Sequence, residues 1–595
     1  MIIKKRTIYY LTSIILLTAV IYVINRLFNN NIIIFPKNFP TSKWKQYGYT
    51  PRQDTTPITV DYHPFTFTVF NSDIPINSDL KKCSQIQTTT NQIELTDPIE
   101  MKVSLHKLLS RLYTDLQNGD EYLKELEPII LPQLKFQLEM NVVDEFWYRF
   151  AGSSIWLDQY GVYYTISRVI YSPKGIKNQP TLSLMYAQIF DRDWNELTGE
   201  LVVPTNDLKT GDETMFTKIK FPSLLPIPFW HDCDNLRGNY YGPEDPRLVV
   251  IQNKQGDEEP VIVFNSYHRK LEYFDDDEDE MLVRDLRFYR TMFIAYPWRF
   301  QRKIYTKIIE LKIENMELLK TQKNWTPFVS PHDKGYIKFV YRWKDLEILK
   351  CDLESGVCVF EYRMKEHLPS STKIGPFRGG TQLIEINQIY PGISQHFPSS
   401  TEVFIGFART HLDDCGCGSV MYRPNLVILI KDSQSRYKIT HISSSLSLDI
   451  PITGWGNPKN LCYDSNVLIP YSIANWEVHE ISSADNVWKT TDYTTLTLSV
   501  SDSIIYRITI RGLLQTILNF KGIFATTYEY NNDNLVCALN ASIEFCYQYG
   551  EDFYKQQSLK TIEEQVADEE FDLVNPRKNT YFKVLNRYLY NESRK

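Results

Sequence analysis

The chain has no excess of positive charge, little glycine and only one long apolar run, and each shortage removes a class of protein. Lys+Arg number 65 against Asp+Glu 72, a net charge of −7 at pH 7, so the broad basic face that a nucleic-acid partner calls for is missing and no nucleic acid is expected. Glycine contributes 24 of 595 residues. No Gly/Ser-rich or Pro-rich linker breaks the sequence, which argues for one large core with appendages rather than a string of domains. Past about residue 146 the strand-like runs have no long helical periods between them, and an α/β fold needs such helices. No small-residue cleavage site follows the apolar run at 7–24. Asn25, Arg26, Leu27 and Phe28 stand there instead, as suits an uncleaved anchor rather than a signal peptide.

That run carries no charge and matches the roughly 17–25 residues that a bilayer-spanning helix needs. Lys4, Lys5 and Arg6 precede it and only Arg26 follows closely, a bias that keeps the N-terminus in the cytosol. The expected order is a cytosolic tail at 1–6, a transmembrane signal-anchor at 7–27 and a lumenal remainder. The short span suits the thin membranes of the early secretory route, so a single-pass type II protein of the Golgi membrane is expected. In an oxidising lumen most of the nine cysteines are expected to pair, leaving one over. Glycosylation sequons at Asn540 and Asn591 fit the same side of the membrane.

Residues 28–100 are polar and punctuated by proline, and read as a lumenal stem with an edge strand near 65–70. In 101–145 a helical segment is expected to pack on the core, because Val103, Leu105, Leu108, Leu109, Leu112 and Leu116 recur at helical spacing. From 146 to 520 the pattern changes to short β-branched and aromatic runs separated by turn residues, in a chain that is 14% aromatic. The runs fall into five units: 152–157, 161–171 and 181–190; 243–250, 261–265 and 288–296; 324–329, 336–341 and 346–353; 379–386, 403–409 and 426–430; 460–463, 467–471 and 494–500. Successive multi-strand sheets predict an all-β, five-bladed β-propeller, with a β-sandwich as the alternative. Residues 521–595, acidic at 563–570, read as a C-terminal helical extension outside it.

The first strand of a propeller blade lines the central channel, so polar residues at the unit openings should converge. Clusters sit there: Gly-Pro-Glu-Asp-Pro-Arg at 242–247, Lys-Asn-Trp-Thr-Pro-Phe at 323–328, Arg-Gly-Gly-Thr at 378–381 and Gly-Asn-Pro-Lys-Asn at 456–460. Each joins a charged or amide group to Gly or Pro, which fixes the backbone and lets a ligand come close.

The first two clusters, with Pro-Tyr-Ser-Ile-Ala-Asn at 470–475, resemble in kind and order the landmarks of the β-mannoside phosphorylases, which are five-bladed propellers. The chain departs from them at Asn475, where they carry an aspartate. More closely, Tyr240 to Arg247, Phe264-Asn265 with His268 to Lys270, Ala408 to His411 with Cys415 and Cys417, and Tyr422 to Pro424 resemble the yeast β-1,2-mannosyltransferase family over most of the lumenal chain. The resemblance implies an enzyme without cofactor that moves mannose from GDP-mannose to cell-wall mannan or a related mannoside acceptor in β-1,2 linkage. An α-linked donor giving a β-linked product requires inversion. Such a step needs a carboxylate to accept the acceptor's proton and positive charge for the departing diphosphate. Asp245 is the candidate base and Glu244 the next. Arg247, Lys323, Arg378, Arg409 and His411 are candidates for the diphosphate. Asn324, Trp325, Tyr240 and Tyr241 are candidates for sugar or guanine, and Asn324 is expected to carry no glycan although Asn-Trp-Thr is a sequon.

Three other readings compete. Asp191 and Asp193 could form an Asp-x-Asp metal site of a different nucleotide-sugar transferase, or simply a hairpin turn. His411 beside Cys415 and Cys417 could bind zinc, though disulfides are commoner in the lumen. A non-catalytic mannan-binding propeller is a third, because propellers host many functions.

Overall fold

The computed structural model describes residues 32–37, 39, 60–71, 83, 88–124, 126–205, 215–228, 242–274, 283–302, 304–364, 376–456, 461–485, 487–526 and 533–558. The expected tail and anchor at 1–27, Tyr240, Tyr241, Asn591 and the acidic run at 563–570 lie outside them. Among the described residues no helix is long and apolar enough to cross a membrane.

Strands dominate from Trp147 to Arg511, where β-branched and aromatic side chains pack on a pleated surface. The first expected unit is an antiparallel set of Trp147–Leu157, Val162–Tyr171 and Leu182–Phe190. The second is Pro243–Gln252, Glu258–Phe274, Val283–Gln301 and Tyr305–Glu310 in order. The third takes Thr326–Phe328, Tyr336–Arg342, Glu347–Asp352 and Val357–Arg363. Phe377–Gly379, Glu402–Asp413, Val420–Lys431 and Tyr437–Ser443 make the fourth. Ser465–Ala484, Val487–Val500 and Ile504–Arg511 make the fifth.

Hydrogen bonds tie each unit to the next. Leu248 N donates to Ser153 Oγ (3.0 Å) between first and second, and Gln322 N to Arg290 O (2.6 Å) between second and third. Gly379 N donates to Asn324 O (3.2 Å) between third and fourth, and Gln382 Nε2 to Ile473 O (2.7 Å) between fourth and fifth. Ser154 N donates to Ser472 Oγ (2.7 Å), returning from fifth to first. The glycine pair at the third junction is required by approach distance: a Cβ on Gly379 would lie 2.4 Å from Asn324 O, and one on Gly380 2.2 Å from Phe407 O.

Three expectations are corrected. The 28–100 region is not a spacer: His63–Asn71 pairs with both Tyr437–Ser443 and Thr88–Leu95, and the latter pairs with Ile504–Arg511. This hairpin fuses the fourth and fifth units into one sheet of 11 strands. Phe65, Phe67 and Val69 face the core while Thr66 and Thr68 alternate with them, so a strand in a polar, proline-punctuated stretch still buries one apolar face. Secondly, residues 461–464 form a turn rather than the opening strand of the fifth unit, which begins at Ser465; 457–460 lie outside the described residues. Thirdly, an outer sheet that the five-unit reading omitted joins Ile32–Ile34, Gly199–Thr205 and Met215–Phe221.

The expected helical segment is present as Leu105–Gln117 and Glu127–Glu139. Ser104 caps the first by accepting from Lys107 N (3.1 Å), and Leu108, Leu109, Leu112 and Leu116 bury against Trp147, Val169 and Leu182 of the first unit. Each such leucine stabilises the contact by about 1.5–3 kcal/mol. A C-terminal helix, Asp533–Ser558, is held by disulfides Cys83–Cys537 and Cys415–Cys546; Cys351–Cys358 and Cys417–Cys462 complete the described pairs. The ninth cysteine, Cys233, lies outside the described residues. The pairing of Cys415 and Cys417 removes the zinc reading. Asn540 is exposed on this helix.

Candidate active site

Glu244, Asp245 and Arg247 lie on the inner strand Pro243–Gln252, where the register with Glu258–Phe274 shifts between Glu244 and Arg247. Asp245 takes a left-handed backbone (φ +50) at this shift. A bulge of this kind re-aims one side chain, so Glu244 and Asp245, adjacent in sequence, enter different surroundings.

Glu244 is only 1% exposed. Its carboxylate hydrogen-bonds the Arg290 guanidinium and lies 3.6 Å from Arg168, while Arg290 Nε donates to Asn265 Oδ1 (2.6 Å). This is a paired charge in the interior, not a group free to meet an acceptor. Asp245 is more open, with 23% of its side chain exposed. Tyr471 OH donates to its Oδ1 at 3.4 Å and Arg168 lies 4.0 Å away. Burial alone pushes its pKa up, but Arg168, Arg290, Arg247 and Arg409 together outweigh burial and hold it down to about 2. A carboxylate so acidic remains ionised at pH 7 and is a weak proton acceptor.

Arg247 hydrogen-bonds Gly380 O through Nε and places its guanidinium 4.0 Å from the centre of the Tyr471 ring. Lys323, next to the third unit's inner strand, has its pKa lowered to about 8 by burial and by Arg290, against the opposing pull of Asp245 and Glu244. Asn324 has φ +61 and accepts from Arg409 through Oδ1 (2.8 Å). Between these groups is a crevice of about 10 Å³, lined by Asp245, Arg247, Asn265, Asn324 and Gly379 among others; that is room for one water.

Arg378 and Arg409 sit directly opposite one another on paired strands. Like charges in that position repel. Their Nε atoms are buried without a hydrogen-bond partner among the described residues. Arg378 donates to His411 Nδ1 (3.2 Å); a guanidinium can only donate, so Nδ1 accepts and Nε2 carries the proton. Burial first, then Arg378, Arg409 and Lys323, lower the His411 pKa to about 4 against Asp413. His411 is therefore neutral at pH 7. It can donate one hydrogen bond but adds no positive charge, which corrects its expected role as a cation.

Trp325 also lines the crevice, whereas Asn475 and Asp191 stand apart. Trp325 is 3% exposed, donates to Gln322 Oε1 (3.3 Å) and meets Phe339 and Tyr341 edge to face at 5.4 and 5.3 Å. Its ring is core of the third unit rather than a free stacking platform. Asn475 donates to Glu477 Oε1 (2.9 Å) and lies near Tyr163 OH (3.5 Å). Asp191 is a turn: its Oδ1 accepts from the backbone N of Asp193 (3.0 Å) and Asn195 (2.8 Å), which are the bonds of an Asx turn.

Arg168 and Arg290 escape the sequence analysis, and Tyr471 enters it only as part of the 470–475 motif. A signal was there: Arg168 interrupts the wholly buried strand VYYTISRVIY, and Arg290 lies within the run LRFYRTMFIAY. A charged side chain inside an apolar strand is paired or functional.

An inner surface with more guanidinium and ammonium groups than carboxylates, two of the former with unused donors, is arranged to hold an anionic group. Cations in excess over carboxylates are what group transfer from an anionic carrier requires. The family model described as Beta-mannosyltransferases matches residues 82–545. Beta-mannosyltransferase 8 of Candida albicans is 48% identical over 598 residues, covering 90% of this chain and 86% of the relative. Beta-mannosyltransferase 2 of the same organism is 33% identical over 576 residues, covering 88% and 85%. Among solved structures, one described as "Glycoside hydrolase" aligns with TM-score 0.30 and 7% identity over 62% of this chain and 88% of that one, a likeness that carries no argument. The chain belongs to the β-mannosyltransferase family and is an enzyme that transfers mannose.

Proposed function

We propose that the donor is GDP-mannose, that the acceptor is cell-wall mannan or a related mannoside, and that the product is a β-1,2 linkage formed with inversion. The observation that carries this reading is the Arg378–Arg409 pair, whose buried Nε atoms have no partner among the described residues beside Lys323 and Arg247. A diphosphate can accept from both guanidiniums and relieve their mutual repulsion. As the anomeric carbon leaves the phosphate oxygen, charge grows on the diphosphate, and fixed cations stabilise that charge more than they stabilise the ground state. The acceptor hydroxyl attacks from the opposite face and loses its proton to a carboxylate.

The ring of five units at 146–520 is read as a five-bladed propeller whose channel holds this site. Residues 7–27 anchor the chain in the Golgi membrane as a single-pass type II protein, with 1–6 in the cytosol and the helices Leu105–Gln117, Glu127–Glu139 and Asp533–Ser558 packed outside the ring. The test is incubation of the purified protein with radiolabelled GDP-mannose and a small α-mannoside, followed by linkage analysis. A β-1,2-linked product formed in EDTA supports the reading. An α-linked product, or transfer abolished by EDTA and restored by Mn²⁺, overturns it and returns the donor site to Asp191 and Asp193.

A further inference from the structure

Beside the cationic cluster, the turn joining Val487–Val500 to Ile504–Arg511 presents a carboxylate that the sequence reading did not use. Ser501 and Asp502 both take left-handed backbone conformations, φ +51 and +47. Lys177, from the first unit, locks the turn by donating to Ser501 O (2.6 Å), Ser503 Oγ (2.9 Å) and Trp455 O (3.1 Å), with its ammonium 4.2 Å from the centre of the Trp455 ring. Trp455 Nε1 in turn donates to Asp502 Oδ2 at 3.1 Å. That leaves Asp502 Oδ1 with no hydrogen-bond partner among the described residues. A strained turn held by three segments of chain around one half-satisfied carboxylate is the construction of a positioned functional group.

Resting on the function proposed above, we propose that Asp502 is the catalytic base, positioned by Trp455 and Lys177, and that Asp245 serves as a fixed negative charge within the arginine cluster. In the step, the acceptor oxygen forms its bond to the anomeric carbon while the bond from that carbon to the phosphate oxygen breaks. GDP leaves with the electron pair, and the hydroxyl proton passes to Asp502 Oδ1. Atoms and charge balance with no further reactant.

The electrostatics of the two carboxylates support this division. Burial raises the Asp502 pKa; the Trp455 hydrogen bond lowers it, Asp245 raises it, and Lys177 and Arg168 lower it, with a net upward shift. Trp455, which holds Asp502, packs in one cluster with Tyr422 and Tyr471; Tyr471 donates to Asp245, and the Arg409 guanidinium lies 5.3 Å from the centre of the Tyr422 ring. Asp245 is held down at about 2. Two carboxylates pushed apart in this way divide the labour of one site, the less acidic one handling the proton.

The test is the pH profile of mannosyl transfer by the purified full chain, with GDP binding measured in parallel. D502N is expected to lower kcat by about 10²–10⁴-fold, to abolish the acidic limb and to leave GDP affinity within about threefold. W455F, which removes the hydrogen bond favouring the ionised form, is expected to move the acidic limb to higher pH, a shift that a purely structural tryptophan would not cause. An acidic limb that persists in D502N, or one that is unmoved in W455F and vanishes in D245N, overturns the assignment and returns the base to Asp245. A wild-type chain that transfers no mannose from GDP-mannose overturns the functional reading itself, an outcome distinct from a failure confined to the variants.

Discussion

The second and fourth units both carry paired cations to the inner surface, and they use them in opposite ways. In the second, Arg290 and the neighbouring Arg168 of the first are matched to Glu244, with Asn265 taking a further donor. In the fourth, Arg378 and Arg409 face each other with no carboxylate between them and with buried Nε atoms unused among the described residues. Counting charges would rank the two walls alike. Counting unsatisfied donors separates a wall whose charges are matched within the fold from one whose donors stay unused among the described residues, the wall to which the proposed function assigns the diphosphate.

The largest expected effect tests the finished wall. R290A removes the hydrogen-bonded partner of Glu244 and leaves the longer Arg168 contact at 3.6 Å, so unfolding free energy should fall by about 2–4 kcal/mol, read as the midpoint of urea unfolding. A loss under about 1 kcal/mol would mean that Glu244 is not held by this pair. Arg378→Ala should behave in the opposite manner: little change or a slight gain in unfolding midpoint, because a repulsion is removed, with GDP-mannose KM raised by about 10–100-fold. Equal damage to stability from both variants would erase the contrast between the walls.

Titration sharpens the comparison further. Lys323 is lowered to about 8, so GDP affinity should weaken as pH rises through 8, and Lys323→Met should flatten that dependence in a calorimetric series. His411 is lowered to about 4 from its ordinary 6.5. Between those values the unfolded chain binds a proton that the folded chain refuses, so stability is lost as pH falls from 6.5 toward 4. H411Q should show a shallower loss over that window in urea midpoints. The smallest effect on donor binding is expected from Trp325→Phe, which should alter stability modestly and leave KM within about twofold, since the ring is core.

Strand runs were legible from Gly152 to Val500 because each buries β-branched and aromatic residues in short blocks, and the sheets follow them closely through the first three units; in the fourth, the expected 379–386 run is broken into Phe377–Gly379 and Ile384–Glu385, and a short helix starts at Ile386. The hairpin His63–Asn71 with Thr88–Leu95 was not legible. Its threonines look like stem, and only the partners Tyr437–Ser443 and Ile504–Arg511, hundreds of residues away, give its phenylalanines a core to enter. At the site, the Gly-Pro-Glu-Asp-Pro-Arg and Arg-Gly-Gly-Thr clusters could be read because glycine and proline beside charge stand out locally. The difference between Glu244 and Asp245 could not, since it is set by a register shift and by Arg168 and Arg290 from other strands. Trp325 was misread for the complementary reason: its polar neighbours Lys323 and Asn324 point to the site while its ring turns into the sheet.

The measurement that tests the central claim most directly is the equilibrium dissociation constant of GDP for the purified protein and for Arg409→Ala, with thermal unfolding recorded on the same samples. A diphosphate held by the unmatched pair predicts affinity weaker by about 10–100-fold with an unfolding temperature that is unchanged or raised. Unchanged GDP affinity in a stably folded variant would contradict it and place the donor elsewhere.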